Sequence, residues 1–158
     1  MNAFISMVKH PVKFRLFLLS KIPSAFFAGV RIKSIAEDKC VVTVPYKWFS
    51  TNPFKSTYFA CLAMAAEMST GALALAHVYK RTPSVSMLIV DMSAEYYKKA
   101  INITTFVCKD GIAIRDAIEE AIAANGTNSI TIKSTGTNEA GELVAEFSFT
   151  WSFKVRSK

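Results

Sequence analysis

Side chains that hold metal ions or form disulfides are scarce in this sequence, which contains two histidines and three cysteines. His10 and His77 do not form a pair with metal-ligand spacing, so a zinc centre is not expected. Cys40, Cys61 and Cys108 are odd in number and far apart, and each lies in an apolar segment, which favours buried reduced thiols. We therefore expect no metal site and a reducing compartment, the cytoplasm.

Glycine and proline are also sparse, with 6 and 5 residues, whereas 51% of the residues are hydrophobic and 12 are Phe. This composition excludes a disordered or low-complexity chain. A length of 158 residues is sufficient for one domain with a proper core. Because the sequence shows neither an internal repeat nor a linker, we expect a single domain over residues 1–158.

Acidic residues are fewer than basic ones, 12 against 19, and the formal net charge is +7. An excess of this sign favours anionic partners such as phosphate-bearing ligands. The Lys and Arg residues are dispersed, however, and form no block of the kind that follows a nucleic-acid backbone. We expect no nucleic-acid partner.

The first 28 residues predict an amphipathic helical extension and not a signal peptide. The candidate apolar core at 16–19 is cut short by Lys21. Helical spacing puts four apolar residues on one face: Phe14, Phe17, Leu18 and Ile22. Pro23 should end the helix. We favour packing of this helix against the rest of the domain, and a helix lying on a membrane surface is the alternative.

A second apolar segment, 59–78, has the length of a transmembrane helix and contains one charged residue, Glu67. Much of the segment is alanine, which is weakly hydrophobic, and a carboxylate near the centre of a bilayer is costly. The pattern therefore predicts a helix buried in a soluble domain and no transmembrane segment.

The rest of the chain predicts a sheet around that helix. Segments rich in β-branched and aromatic residues predict five strands, in the regions 30–46, 84–97, 101–109, 129–137 and 142–155. The turn at 138–141 should join the last two as a hairpin. A shorter amphipathic helix is predicted at 112–125, with Gly126 as its C-terminal stop.

Three local motifs follow one another along this pattern: Asn52 fifteen residues before Glu67, VDMSAEYYKKA at 90–100, and TNEAGELVAEFSFTW at 137–151. In order and spacing, these motifs and elements resemble the hotdog fold of acyl-coenzyme A thioesterases, over nearly the whole chain from Val30 onward. The resemblance implies an α+β fold in which a mainly antiparallel sheet of five to six strands wraps a long central helix. The N-terminal helix and the extra helix near 112–125 resemble an uncharacterised branch of that superfamily.

The resemblance also implies roles for particular residues. Glu67 would act as general base or nucleophile on the thioester, and Asn52 would orient the thioester or the attacking water. The backbone N–H of Phe59 would hold the oxyanion, since a helix start presents unpaired N–H groups and positive potential. A carboxylate in apolar surroundings also has a raised pKa and gains basicity at neutral pH.

Five further residues are candidates for substrate binding: Tyr58, Met64, Ser86, Lys98 and Lys99. Four methionines, at positions 64, 68, 87 and 92, would line an acyl tunnel, although core packing explains any one of them as well. Lys98 and Lys99, or alternatively Lys80 and Arg81 after the central helix, would meet coenzyme A phosphates, although solvated surface explains each pair too. Ser86 lies close to the position, near Ile89, of a serine or threonine that positions water in some relatives.

One departure from the family pattern keeps a second function open. Catalytic relatives commonly have His-Gly directly before the helix, where this chain has Tyr58 and Phe59, and a bulky side chain narrows the approach that glycine permits. The alternative is a non-catalytic domain that binds acyl groups or acyl-coenzyme A. Glu67 also has a structural alternative, a buried acid satisfied by a backbone or hydroxyl partner in its own chain or across a subunit interface, where it would fix assembly, and Asn52 alone is typical of a turn.

Hotdog proteins usually pair their sheets edge to edge, so the resemblance implies a homodimer or a homotetramer. The sites would lie at the interface, with Asn52 facing Glu67 of the other subunit. The substrate would be acyl-coenzyme A or another acyl thioester, with coenzyme A as part of the substrate and no separate cofactor. A hotdog dehydratase is disfavoured because its histidine has no counterpart before the helix.

Overall fold

The computed structural model describes residues 3–156. Five α-helices are formed in this range: α1 (Ala3–Lys9), α2 (Pro11–Lys21), α3 (Pro23–Ala28), α4 (Phe59–Val78) and α5 (Gly111–Ala123). The described range also contains six strands: β1 (Arg31–Ile35), β2 (Cys40–Val44), β3 (Val85–Tyr96), β4 (Thr104–Cys108), β5 (Thr127–Thr137) and β6 (Leu143–Val155).

The six strands form one antiparallel sheet in the order β1-β2-β4-β5-β6-β3. Helix α4 contacts every strand of this sheet. The fold predicted from the sequence, a long central helix wrapped by an antiparallel sheet, is confirmed. The sixth strand comes from the segment 30–46, which turns at 36–39 and forms the hairpin of β1 and β2.

Alternating aromatic side chains of β6 form much of the core beneath α4. Phe147, Phe149, Trp151 and Phe153 are buried, and the alternate residues at 148, 150 and 152 are only partly covered, as expected for a strand with one face inward. In β5, a Cβ atom at Gly136 would lie 2.5 Å from the Phe106 ring. The glycine therefore lets this ring lie against the backbone of the strand.

By length and composition, α4 is also apolar enough to cross a membrane, but 67% of the relevant window is buried inside the molecule. The surrounding sheet accounts for this burial. The helix is therefore the core helix of the fold.

The N-terminal segment differs from the single predicted helix because Pro11 starts a new one. His10 caps α2 by accepting a hydrogen bond from Lys13 N at its Nδ1 (3.4 Å), and proline is well suited to the first helical position. Helix α2 ends at Lys21, before Pro23, as predicted. Phe14 and Leu18 are buried, whereas Ile22, predicted on the same face, is 38% exposed.

The end of α5 also differs in detail from the prediction. Asn125, with φ of 45°, adopts the left-handed conformation beyond the helix, so Gly126 is not the residue that stops it. Asparagine tolerates this region better than most residues with a side chain.

Candidate functional site

A groove of about 610 Å³ lies at the start of α4. It brings together five residues that the sequence analysis selected: Asn52, Tyr58, Phe59, Lys98 and Lys99. The loop before α4 forms one wall, and the chain after β3 forms the other. These groups are far apart in sequence, and the fold makes them neighbours.

Hydrogen bonds fix both walls of the groove. The Asn52 Oδ1 accepts hydrogen bonds from Phe54 N (3.0 Å) and from both N and Oγ of Ser56 (3.3 Å each). Thr57 donates through its N (2.7 Å) and its Oγ1 (3.1 Å) to the carbonyl oxygen of Ala100. The three hydrogen bonds from Phe54 and Ser56 engage the side-chain carbonyl oxygen of Asn52 in the turn. The side-chain amide nitrogen of Asn52 is therefore the group that remains to contact a substrate.

The first turn of α4 faces this groove with unpaired backbone donors. Tyr58 is the N-cap residue and makes no side-chain cap. Among residues 3–156, no acceptor is found for the N–H groups of Phe59 and Ala60. The rings of Tyr58 and Phe59 stand edge to face at 4.9 Å, and both are exposed. The helix start therefore offers N–H donors and positive potential beneath two aromatic rings.

The two lysines differ in how they are held. Lys98 forms an ion pair with Glu142, and Lys99 Nζ lies 3.4 Å from the carbonyl oxygen of Phe54, across the groove. Both side chains are at the surface, where an anionic group of a ligand can reach them.

Ser86 is not part of this groove. Its hydroxyl donates to the carbonyl oxygen of Lys154 on the neighbouring strand at 3.2 Å, and it lines neither the groove nor the cavity described next. Met87 lines that cavity, and successive residues of a strand face opposite sides. Within one chain, Ser86 therefore lines neither space, and its role in substrate binding stays a prediction.

Glu67 lies in the middle of α4, beside a separate cavity of about 130 Å³. Its carboxyl is the only polar side chain among the described residues that line it, and the others are Phe4, Phe14, Phe17, Leu18, Ile22, Ile32, Met68, Gly71, Ala72, Leu75 and Met87. Burial raises the pKa of Glu67 to about 7. Within residues 3–156, no side chain or backbone group donates a hydrogen bond to this carboxyl.

The hydroxyl of Thr70, almost one helical turn after Glu67, is used elsewhere. Thr70 Oγ1 donates to the backbone carbonyl oxygen of Glu67 (2.9 Å) and accepts a hydrogen bond from Trp151 Nε1 (3.1 Å). Within one described chain, this hydroxyl therefore does not satisfy the acid, as the structural alternative would require.

Sequence reasoning missed Gly71, one helical turn after Glu67. A Cβ atom there would lie 2.5 Å from Glu67 Oε1. A glycine inside a helix costs about 1 kcal/mol relative to alanine, so its presence calls for a packing reason. Here the glycine makes room for the carboxyl, and an isolated glycine four residues after the single acid was the available signal.

An incompletely buried strip of α4 connects the groove to the cavity. Phe59 is 57% exposed, and Ala60, Ala63, Met64 and Glu67 are partly exposed. Phe59 and Glu67 are eight residues apart, which corresponds to about 12 Å along the helix. A carbonyl group bound at the N–H of Phe59 is therefore out of reach of Glu67 in the same chain.

The described residues contain no group of three or more His, Cys, Asp and Glu that could hold a metal ion. All three cysteines are buried and unpaired. Burial raises the pKa of Cys40 to about 12 and that of Cys108 to about 11, so neither supplies a thiolate nucleophile at neutral pH.

Several solved structures resemble this chain. A protein of unknown function from Pseudomonas aeruginosa, described as "Probable Thioesterase", is 21% identical with a TM-score of 0.78, over 92% of this chain and 97% of its own. A protein of unknown function from Chlorobaculum tepidum TLS is 15% identical with a TM-score of 0.80, over 98% and 100%. The E. coli PaaI protein from the phenylacetic acid degradation operon is 12% identical with a TM-score of 0.66, over 99% of each chain.

No curated protein shows significant similarity to the chain. Residues 12–153 match a family model described as a domain of unknown function, DUF4442. Several of the structural neighbours, at identities of 12–21%, are described as thioesterases or probable thioesterases. The chain therefore belongs to the DUF4442 family and has the hotdog fold of these thioesterase-like proteins.

Proposed function

We propose that the protein hydrolyses acyl-coenzyme A or another acyl thioester, with Glu67 as its general base or nucleophile. The observation that carries this proposal is the Glu67 carboxyl, which has no partner among the described residues of its own chain and lies in an apolar cavity where its pKa is about 7. Such a group is partly ionised at neutral pH and is more basic than an ordinary carboxylate. Perturbed carboxylates in clefts are enriched at functional sites.

The 12 Å separation along α4 supports a site shared by two chains. One chain provides the groove and the N–H of Phe59, and the other provides Glu67. The exposed edge strand β3, with Leu88 at 65% and Val90 at 55% exposure, is the surface that we assign to edge-to-edge pairing in a homodimer. A homotetramer would pair two such dimers. Buried unpaired thiols are consistent with a cytoplasmic location.

As general base, Glu67 takes a proton from water while the water oxygen bonds to the thioester carbon. The N–H of Phe59 stabilises the resulting oxyanion, and the amide nitrogen of Asn52 holds the thioester or the water. The carbon–sulfur bond then breaks, and the proton on Glu67 passes to the leaving thiolate, which gives a carboxylic acid and coenzyme A. Lys98 and Lys99 contact the phosphates of coenzyme A.

Thiol release from acyl-coenzyme A esters tests this proposal. Glu67→Gln should lower kcat at least about 100-fold, the usual contribution of a general base, while Glu119→Gln on the surface of α5 should retain full turnover. Equal turnover by the wild type and Glu67→Gln would refute the role of Glu67.

The oxyanion role has its own matched pair of variants. Phe59 is the first residue of α4, and Tyr58 before it has φ of −60° and ψ of 134°, which suits the residue before a proline. Phe59→Pro therefore deletes the N–H at little cost to the helix, and Phe59→Ala keeps it. Turnover should fall by about 100- to 1,000-fold in the proline variant alone.

A non-catalytic acyl-binding domain is the second candidate, and the exposed rings of Tyr58 and Phe59 in the groove favour it. Bulky side chains at these two positions narrow the approach to the backbone donors that glycine would leave open. Acyl-coenzyme A binding in a calorimeter without any thiol release would establish this function.

A further inference from the structure

The N-terminal helices α1 and α2 line the cavity beside Glu67. Met68 and Ala72 of α4 form one wall, and Phe14, Phe17 and Leu18 of α2 form the opposite one. Its volume of about 130 Å³ is close to that of an apolar cavity of about 150 Å³ that stays dry and binds benzene. The space therefore suits a small apolar group.

The aromatic side chains of this wall support one another. The Phe17 ring lies 6.5 Å from the Phe4 ring and 6.1 Å from the Phe14 ring, and Phe4 lies 5.7 Å from the ring of Tyr79 on the far side. Pairs at these separations attract beyond the burial of their surface. The wall is thus a packed aromatic layer, and a ligand longer than the cavity has to displace it.

The position of the cavity indicates which part of the substrate it would hold. The carboxyl group of Glu67 turns toward Gly71, on the side of the cavity. If the carbonyl carbon of a thioester lies at Glu67, its coenzyme A arm points away from this cavity, toward the groove that the other chain provides. Its acyl group then has an apolar space directly behind the reacting carbon.

We propose that this cavity is the acyl pocket, and that α1 and α2 limit the acyl group to a phenyl ring or a chain of about six carbons. The proposal rests on the proposed function, because it assigns the thioester to Glu67. It makes Phe17 a residue that determines specificity. It also explains product release, since the acid formed in the pocket carries a charge that an ionised Glu67 repels.

Binding of S-alkyl-coenzyme A thioethers, from methyl to dodecyl, tests the pocket without requiring hydrolysis. In calorimetry, the affinity should rise about fourfold for each methylene buried and should stop rising beyond about six carbons. Phe17→Ala enlarges the cavity at a partly exposed position, so its affinity maximum should move to longer chains. Leu16→Ala, at a 60% exposed position of the same helix, is the matched control and should leave the maximum unchanged.

Thiol release from the corresponding acyl esters is measured beside the binding. A chain-length maximum that moves in Phe17→Ala supports the pocket even if no ester is hydrolysed, in which case only the proposed function fails. Hydrolysis with an affinity independent of chain length, or with a maximum that Phe17→Ala does not move, overturns the pocket and leaves the hydrolase. If no thioether binds, the pocket is overturned as well.

Discussion

Replacing Glu67 with glutamine should stabilise the protein at neutral and alkaline pH. The folded state raises the pKa of this carboxyl from its usual value of 4.5 to about 7 by burial. A group whose pKa is raised on folding is bound to its proton more tightly in the folded state. The wild type therefore loses stability as the pH rises from 4.5 to about 7, whereas the glutamine variant has no proton to lose.

The difference in the free energy of unfolding between the two proteins follows from the change in the pKa of Glu67 on folding. At about 1.36 kcal/mol for each pH unit, the interval from 4.5 to about 7 gives about 3 kcal/mol. At about pH 8 the Glu67→Gln variant should exceed the wild type by up to this amount, and at or below about pH 4.5 the difference should disappear. For a domain of this size, a difference of about 3 kcal/mol in the free energy of unfolding corresponds to a difference of about 6–12 °C in Tm.

Urea unfolding of both proteins between about pH 4.5 and pH 8, at one fixed protein concentration, measures this difference in the free energy of unfolding. Glu119→Gln is the control, because Arg81 lowers the pKa of Glu119 and its effect on stability varies with pH only in the acid range. A wild type that is more stable than Glu67→Gln at about pH 8 would refute the reasoning. It would show that the carboxylate has a stabilising partner.

Three further predictions follow from the same geometry. Gly71→Ala should lower turnover, because its Cβ would lie 2.5 Å from Glu67 Oε1; in a Glu67→Ala background, urea unfolding should show a smaller destabilisation by the same change, because the next contact of this Cβ is Trp151 Cζ2 at 3.3 Å. The pH profile of kcat/KM should rise through about pH 7, the pKa of Glu67, and a profile that is flat between about pH 5 and pH 8 would contradict a carboxylate base. Val90→Lys on the edge strand β3 should give monomers in sedimentation and abolish turnover, and a fully active monomer would refute the shared site.

Most of the architecture could be predicted because the signals for it are local. The β-branched and aromatic runs of β3 to β6 lie between turn residues, and the single acid in α4 indicated a buried helix. The hairpin of β1 and β2 was missed because a short turn inside an apolar segment leaves little signal. The break before Pro11 was missed because the apolar spacing of α2 was extended across the whole N-terminal segment.

The candidate site was only partly predictable, since its parts meet through long-range packing. The groove unites the loop at Asn52 with Lys98 and Lys99, and no local pattern in the sequence shows that these segments are neighbours. The cavity wall formed by α2 has no local signal, because nothing in its sequence shows which face of α4 it covers. The position of Ser86 could not be read from the register, since β3 is irregular between Ile89 and Asp91.

Mixed dimers test the central claim most directly. Phe59→Pro and Glu67→Gln, each inactive alone, are unfolded, refolded together in equal amounts and assayed for thiol release. Half of the dimers are then mixed, and each mixed dimer has one site in which the Phe59 N–H of one chain meets Glu67 of the other. We predict recovery of about a quarter of the wild-type activity. No recovery in refolded mixtures that contain mixed dimers would contradict a thioesterase site shared by two chains.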